Sequence, residues 1–228
     1  MRSSAMTRFL SVLMAASMLV LLAACQGDAA SPSPTGAQQQ GQVAGPVEGD
    51  RILIAYFTAA ENSGVDAVSS ASYTTIDGQA VGRLRAVADM IAQDTGGTLF
   101  SIRTETVYPA DGSALIDFAD QEQAQDARPV LTTQIEDLDR YDVVFVGYPN
   151  WWYDIPMALY SFFDTYDFSG KTIIPFNVHN GSRFSGTIET IRQLEPNATV
   201  IADGFTVSER DVAQAAPDVR AWLDGLGF

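Results

Sequence analysis

Residues 142–156 read DVVFVGYPNWWYDIP, and this stretch decides the fold. Val143 to Val146 form an unbroken apolar run, short enough for a strand buried on both faces. The run breaks at Gly147, and Tyr148, Pro149, Asn150, Trp151, Trp152 and Tyr153 follow in a row. So many large rings suit a solvated loop poorly and suit a loop that closes over a flat ligand. In open α/β sheets, ligands sit outside the carboxyl ends of the strands. The loop therefore points to a bound ring system, with a flavin as the first candidate.

Outward from this stretch the chain alternates between two periodicities. Residues 51–57 (RILIAYF) read as a buried strand. Residues 81–93 have amphipathic helical spacing, with Leu84, Val87, Ala88 and Ile91 on one face. Gly96-Gly97 ends that helix. Further strands are expected at 98–103, 142–146 and 172–176, with a fifth inside 199–205. Helices are expected at 113–125, from a first-turn Pro156 through 163, at 187–194 and at 212–223. Five strands alternating with five helices predict an α/β fold, a three-layer, doubly wound five-stranded parallel sheet. The flavodoxin-like order 2-1-3-4-5 is the natural choice for five strands. Residues 61–78 do not fit this rhythm, because a strand-to-helix loop is usually about 2 to 6 residues.

The amino terminus has a secretory layout. Arg2 and Arg8 precede an almost unbroken apolar run over residues 9–22, too short for a comfortable membrane span. The run ends Leu22-Ala23-Ala24-Cys25, which resembles the bacterial lipobox, and Cys25 is the only cysteine. That resemblance implies a signal peptide over 1–24 and lipidation of Cys25, against an ordinary signal peptide with a leftover thiol. Residues 26–50 are rich in Ser, Pro, Gly and Gln and read as a flexible tether. The folded domain is expected over 51–228, without a disulfide.

The formal charge is −15, and loss of Arg2 and Arg8 leaves eleven basic against 28 acidic residues, −17. Such a charge disfavours nucleic acid and anionic headgroups as partners, so the membrane is expected to be reached through the lipid alone. Solubility explains the charge, and so does docking to a basic redox partner. There is no GxSxG elbow, no Walker A sequence and no GxGxxG after a strand. One histidine and one cysteine do not build a zinc site.

Three segments are expected at the carboxyl edge: Thr58 to Gly64, Tyr148 to Asp154, and Asn177 to Ser182. Together they resemble a bacterial flavodoxin-fold family whose loops read YFSxTGNT, GYPxWW, and a Gly- and Ser-rich run after Pro-Phe. The second is kept as Gly147-Tyr148-Pro149-Asn150-Trp151-Trp152, and Lys171 to Phe176 leads into the third. The first departs: the second threonine position is Ala60 and the glycine is Glu61. Either Thr74 and Thr75 replace the lost phosphate donors, or the phosphate site is weakened.

The resemblance implies FMN as cofactor. Thr58, Asn62 and Ser63 are the candidate phosphate donors. Pro149, Asn150, Trp151 and Trp152 are the candidate ring contacts, with Asn177, Asn180, Gly181 and Ser182 on the third loop. Trp151 and Trp152 either contact the ring or pack against the first helix. His179 is either a donor to the ring or a solvated loop residue. The function implied is an FMN-binding, extracytoplasmic lipoprotein that carries electrons or reduces a small acceptor such as a quinone. The alternative is a non-enzymatic ligand- or protein-binding module on a flavodoxin fold that has lost flavin binding.

Overall fold

The computed structural model describes residues 47–62 and 73–228. The secretory segment, Cys25, the tether up to residue 46, and Ser63 lie outside the described residues. In chain order the elements are β1 (Ile52–Tyr56), β2 (Tyr73–Ile76), β3 (Gln79–Gly82), α1 (Arg83–Thr95), β4 (Thr98–Ser101) and α2 (Gly112–Ala124). They continue with β5 (Val143–Pro149), α3 (Met157–Thr165), β6 (Thr172–His179), α4 (Thr187–Leu194), β7 (Thr199–Val200), β8 (Phe205–Ser208) and α5 (Ala216–Leu226).

The central sheet runs β4-β1-β5-β6-β7, with β8 also on β6, and every neighbouring pair is parallel. Counting β7 and β8 as one interrupted fifth strand, the order is the expected 2-1-3-4-5. Alternate residues serve the two faces. Ile52, Ile54, Phe145 and Phe176 meet Leu84, Val87 and Ile91 of α1 and Val219 and Leu223 of α5. Leu53, Phe57, Val144 and Val146 meet Leu115 of α2, Phe162 of α3 and Ile191 of α4. Each such buried side chain contributes about 1.5 to 3 kcal/mol relative to exposure. Packing reaches back to Val47, which rests on the α1–α5 core four residues before Arg51.

Several details depart from the periodicity. Part of the long segment after β1 is an antiparallel hairpin, β2 with β3. Its turn, Asp77-Gly78, has both residues at positive φ, 51° and 77°, the two-residue geometry that Asp-Gly favours. Val81 and Gly82 are thereby paired with Thr74 and Tyr73, so α1 starts at Arg83.

Strand β5 does not end at Gly147 but runs through Pro149. Gly147 is a clearance rather than a break: a Cβ there would lie 2.1 Å from Phe176 Cζ.

The fifth strand is interrupted over 201–204. The carbonyl of Ile173 accepts from Ile201 N–H, and Pro175 shares its parity. The proline nitrogen, which has no proton, therefore faces the gap, and the ladder resumes only at Phe205.

The closing helix is preceded by a short 3-10 turn, Val212–Gln214, and Pro217 sits in the first turn of α5. Pro156 is the residue before α3 rather than inside it. Among the described residues no helix is long and apolar enough to cross a membrane, and no cluster of potential metal ligands occurs.

Candidate functional site

A cavity of about 470 Å³ opens at the carboxyl edge of the sheet. Pro149, Asn150, Trp151, Trp152 and Tyr153 wall it from the end of β5, and Val178, His179, Asn180, Gly181 and Ser182 from the end of β6. Gly112, Leu115, Ile116 and Ala119 of α2 form a third side, and Glu209 completes it. The last five were not among the site residues expected from sequence. The apolar face of α2 was visible at Leu115, whereas nothing in the sequence signals Glu209.

The aromatic loop is a tight turn. Trp151 N–H donates to Asp154 O at 3.0 Å, and Asp154 N–H donates back to Trp151 O at 2.9 Å. The two central residues, Trp152 and Tyr153, have φ of 49° and 65°. This left-handed pair normally calls for Asn and Gly. Side-chain bonds hold it in place. Asp154 accepts from Tyr160 Oη at 2.8 Å and Thr190 Oγ1 at 3.2 Å, tying the turn to α3 and α4. Trp152 Nε1–H donates to the Ile116 carbonyl at 3.0 Å.

The two tryptophans have different jobs, and neither packs against α1. Trp151 stands edge-on to Phe57, with ring centroids 5.6 Å apart, and tilted on Tyr108 at the same separation. Trp152 is 46 % exposed and Tyr153 72 %, so their rings form the mouth. Behind Trp151, the Tyr108 hydroxyl donates to Glu122 at 3.2 Å. Burial raises the Glu122 carboxyl above the ordinary range, and the Tyr108 hydroxyl pulls it back.

The third loop is pinned by two amides. Asn150 Nδ2 and Asn177 Nδ2 both donate to the carbonyl of Arg183, at 2.7 and 2.9 Å. They fix Arg183 and Ser185 at φ of 53° and 51°. The Oδ1 atoms of both asparagines are buried without a partner. Asn150 thus lines the cavity and shapes it, whereas Asn177 is fully buried behind the wall and acts on the loop. Asn180, Gly181 and Ser182 lie in the wall as expected.

The first loop differs most from expectation. Asn62 is buried and its amide is fully engaged. Nδ2 donates to Thr58 O and Ile102 O, and Oδ1 accepts from Thr104 N–H at 2.9 Å. It staples the loop to the segment after β4 and has no donor left for a phosphate. Thr58 is buried against Gly82 at the start of α1, away from the cavity wall. Thr74 and Thr75 are strand residues of the hairpin.

Glu61 is engaged within the protein. It accepts from Tyr56 Oη at 3.1 Å and Arg103 Nη2 at 3.3 Å, bonds Ser101 Oγ, and lies 3.7 Å from Arg85 Nη1. Burial, then the Glu61 charge, pushes the Tyr56 hydroxyl up to about 12. Among the described residues, one cation of this region has buried nitrogens without a hydrogen-bond partner. Arg83 opens α1 with Nε and Nη1 buried and unpartnered, and burial lowers its pKa against the opposing fields of Glu209 and Tyr73.

Comparison with known proteins agrees with this architecture. A candidate flavoprotein from Bacteroides eggerthii superposes with a TM-score of 0.56 at 24 % identity, covering 78 % of this chain and 98 % of its own. A flavoprotein from Lactobacillus acidophilus in complex with FMN superposes with a TM-score of 0.52 at 17 % identity, covering 72 % and 97 %. At these identities the likeness shows the fold. No curated protein matches the chain. The flavodoxin family profile matches residues 72–226, more than half of the chain. The chain belongs to the flavodoxin family.

Proposed function

We propose that the chain binds FMN non-covalently in this cavity and serves as a lipid-anchored, extracytoplasmic electron carrier or reductase of a small acceptor such as a quinone. The cavity carries the reading. About 470 Å³, walled by Trp151, Trp152 and the 179–182 loop at the carboxyl edge, suits a planar ring in a small-molecule site. The FMN of the Lactobacillus acidophilus neighbour supports the choice of flavin.

The donor set fits the group. The partnerless Oδ1 of Asn150 is a buried acceptor in the cavity wall. Arg83 Nε and Nη1, in the first turn of α1, are buried without a partner outside the cavity lining and are donors for an anion reaching beyond it to that helix start. Arg83 takes the phosphate role that Asn62 does not fill. When bound, the flavin supplies the redox chemistry. Trp151 and Trp152 wall the ring site and exclude water. Asn150 and Asn177 hold the third loop in shape, and Glu209 disfavours added negative charge.

Titration of the full chain in detergent with FMN, followed by flavin fluorescence, tests this. Tight one-to-one quenching is expected. No binding at high micromolar flavin by a folded chain would overturn it. That result would leave the second reading, a non-enzymatic binding module, which the engaged state of Glu61 and Asn62 favours. The anchor rests on Cys25 within Leu22-Ala23-Ala24-Cys25. Metabolic acyl labelling is expected on the wild type and lost in Cys25→Ser; a labelled serine variant would remove the anchor.

A further inference from the structure

His179 is the only histidine, and it stands in the cavity wall at the end of β6. Its ring is not free to turn. Gly181 N–H donates to His179 Nδ1 at 2.8 Å, across the tip of the third loop. A ring nitrogen that accepts carries no proton, so the neutral ring holds its proton on Nε2. Gly181 has φ of 99°, so the donor is offered by a backbone shape suited to glycine.

We propose that Nε2–H of His179, fixed in its tautomer by Gly181, is a side-chain donor to a carbonyl oxygen on the edge of a planar heterocycle bound in this cavity. The inference rests on the flavin reading of the site. Among the described lining residues, Glu209 accepts only and no lysine or arginine occurs. Two other side-chain donors of the wall are already used, while Trp151 Nε1, Tyr153 Oη, Asn180 Nδ2 and Ser182 Oγ belong to the same lining. Asn150 Nδ2 is engaged with Arg183 O, and Trp152 Nε1 with Ile116 O. Asn180 and Ser182 sit on the loop that the His179–Gly181 bond shapes.

The same geometry makes the wall sensitive to acid. Protonation would put a second N–H on Nδ1, facing the Gly181 N–H, and two donors cannot share that contact. The loop over 179–182 must then give way. Four influences act on the ring. Burial, then the Arg183 charge, favour the neutral form, while Glu209 and Asp211 favour the charged one; the balance lies below the ordinary histidine value of 6.5. The ring is therefore neutral at pH 7.5, with its proton on Nε2.

Three proteins test the assignment: wild type, His179→Gln and His179→Asn. Glutamine places an amide N–H near the Nε2 position. Asparagine can satisfy Gly181 but reaches no further. Each full chain is titrated with FMN, and in parallel with riboflavin, which has no phosphate to titrate. At pH 7.5 the glutamine variant is expected within about threefold of wild type and the asparagine variant weaker by about tenfold, the worth of one hydrogen bond. As the pH is lowered from 7.5 until the ring charges, wild-type affinity is expected to fall while that of His179→Gln stays level. Equal affinities in all three, or equal losses in both variants, would overturn the donor role. Nitrogen NMR of the unliganded protein gives an independent reading. A proton on Nδ1 would overturn the inference whatever binds, whereas failure of wild type to bind either flavin, with the proton on Nε2, would overturn the flavin reading and with it the carbonyl partner.

Discussion

Gly147 in β5 lies under the ring of Phe176 in β6, and the two are register partners in the parallel ladder. A Cβ on Gly147 would come within 2.1 Å of Cζ and 2.4 Å of Cε2. The ring covers the strand where a side chain would stand, and the strand continues beyond it to Pro149. The aromatic turn therefore starts from a rigid base. Gly147→Ala is expected to destabilise the protein by about 1 to 3 kcal/mol, the usual cost of overpacking a tight core. Urea unfolding of the variant against wild type measures it, and an unchanged midpoint would mean that Phe176 moves aside freely.

The turn over Trp152 and Tyr153 stores strain, since both are non-glycine residues at positive φ. A left-handed residue with a Cβ costs about 1 to 2 kcal/mol. Tyr153 is mostly exposed, so its ring contributes little burial in return. Tyr153→Gly is expected to raise stability by about 0.5 to 1 kcal/mol after the extra chain entropy of glycine is counted. A lower thermal midpoint would show that the tyrosine ring makes contacts that outweigh the strain.

Glu195, at the carboxyl end of α4, is 7 % exposed. Burial, and then the charges of Asp167 and Asp164, push its pKa up to about 7, against a backbone hydrogen bond at Phe168 that lowers it. A carboxyl that holds its proton more tightly when folded stabilises the fold below its unfolded value near 4.5. That contribution is lost as pH rises through about 7. Glu195→Gln is expected to remove this loss. The stability gap between the variant and wild type should widen from pH 5 to pH 8 in paired urea melts, and a constant gap would contradict it.

Arg83, just outside the cavity lining, is assigned the anion end of the proposed flavin site because its Nε and Nη1 are buried without a partner. Wild type is expected to prefer FMN over riboflavin by about tenfold or more, the worth of hydrogen bonds to a charged group. Arg83→Gln should bring the two affinities within about threefold while leaving riboflavin binding unchanged. Parallel fluorescence titrations measure the ratio. A preference that survives the substitution would return the phosphate to the first loop.

Much of the fold was legible because local periodicity and burial agree. The runs at 52–56, 143–146 and 173–174 are apolar at every position, and in the structure each is buried on both sides. The helical faces at Leu84, Val87 and Ile91 also lie where their spacing puts them. Boundaries failed where a single residue acts across strands. Gly147 resembles a breaker until Phe176 is beside it, and Pro175 interrupts a strand that is not its own. Asp77-Gly78 was a hairpin signal hidden in a segment read as a loop.

The candidate site divides the same way. By itself, the sequence determined the alternation of strands and helices that makes a parallel sheet, and it placed the second and third loops, which wall the cavity, at one edge; the strand order was only the usual choice for five strands. Spacing along the chain suffices for these, because a parallel sheet brings successive strand ends to one edge. Only the tertiary structure decided which polar side chains remain free. Asn62 is engaged by Thr104, 42 residues on, Asn150 by Arg183, 33 residues on, and Glu61 by Arg103, 42 residues on. Hydrogen bonds between distant segments leave no trace in local composition. A donor that looks available in sequence can therefore be spent, while Arg83, singled out by nothing around it, keeps Nε and Nη1 without a hydrogen-bond partner.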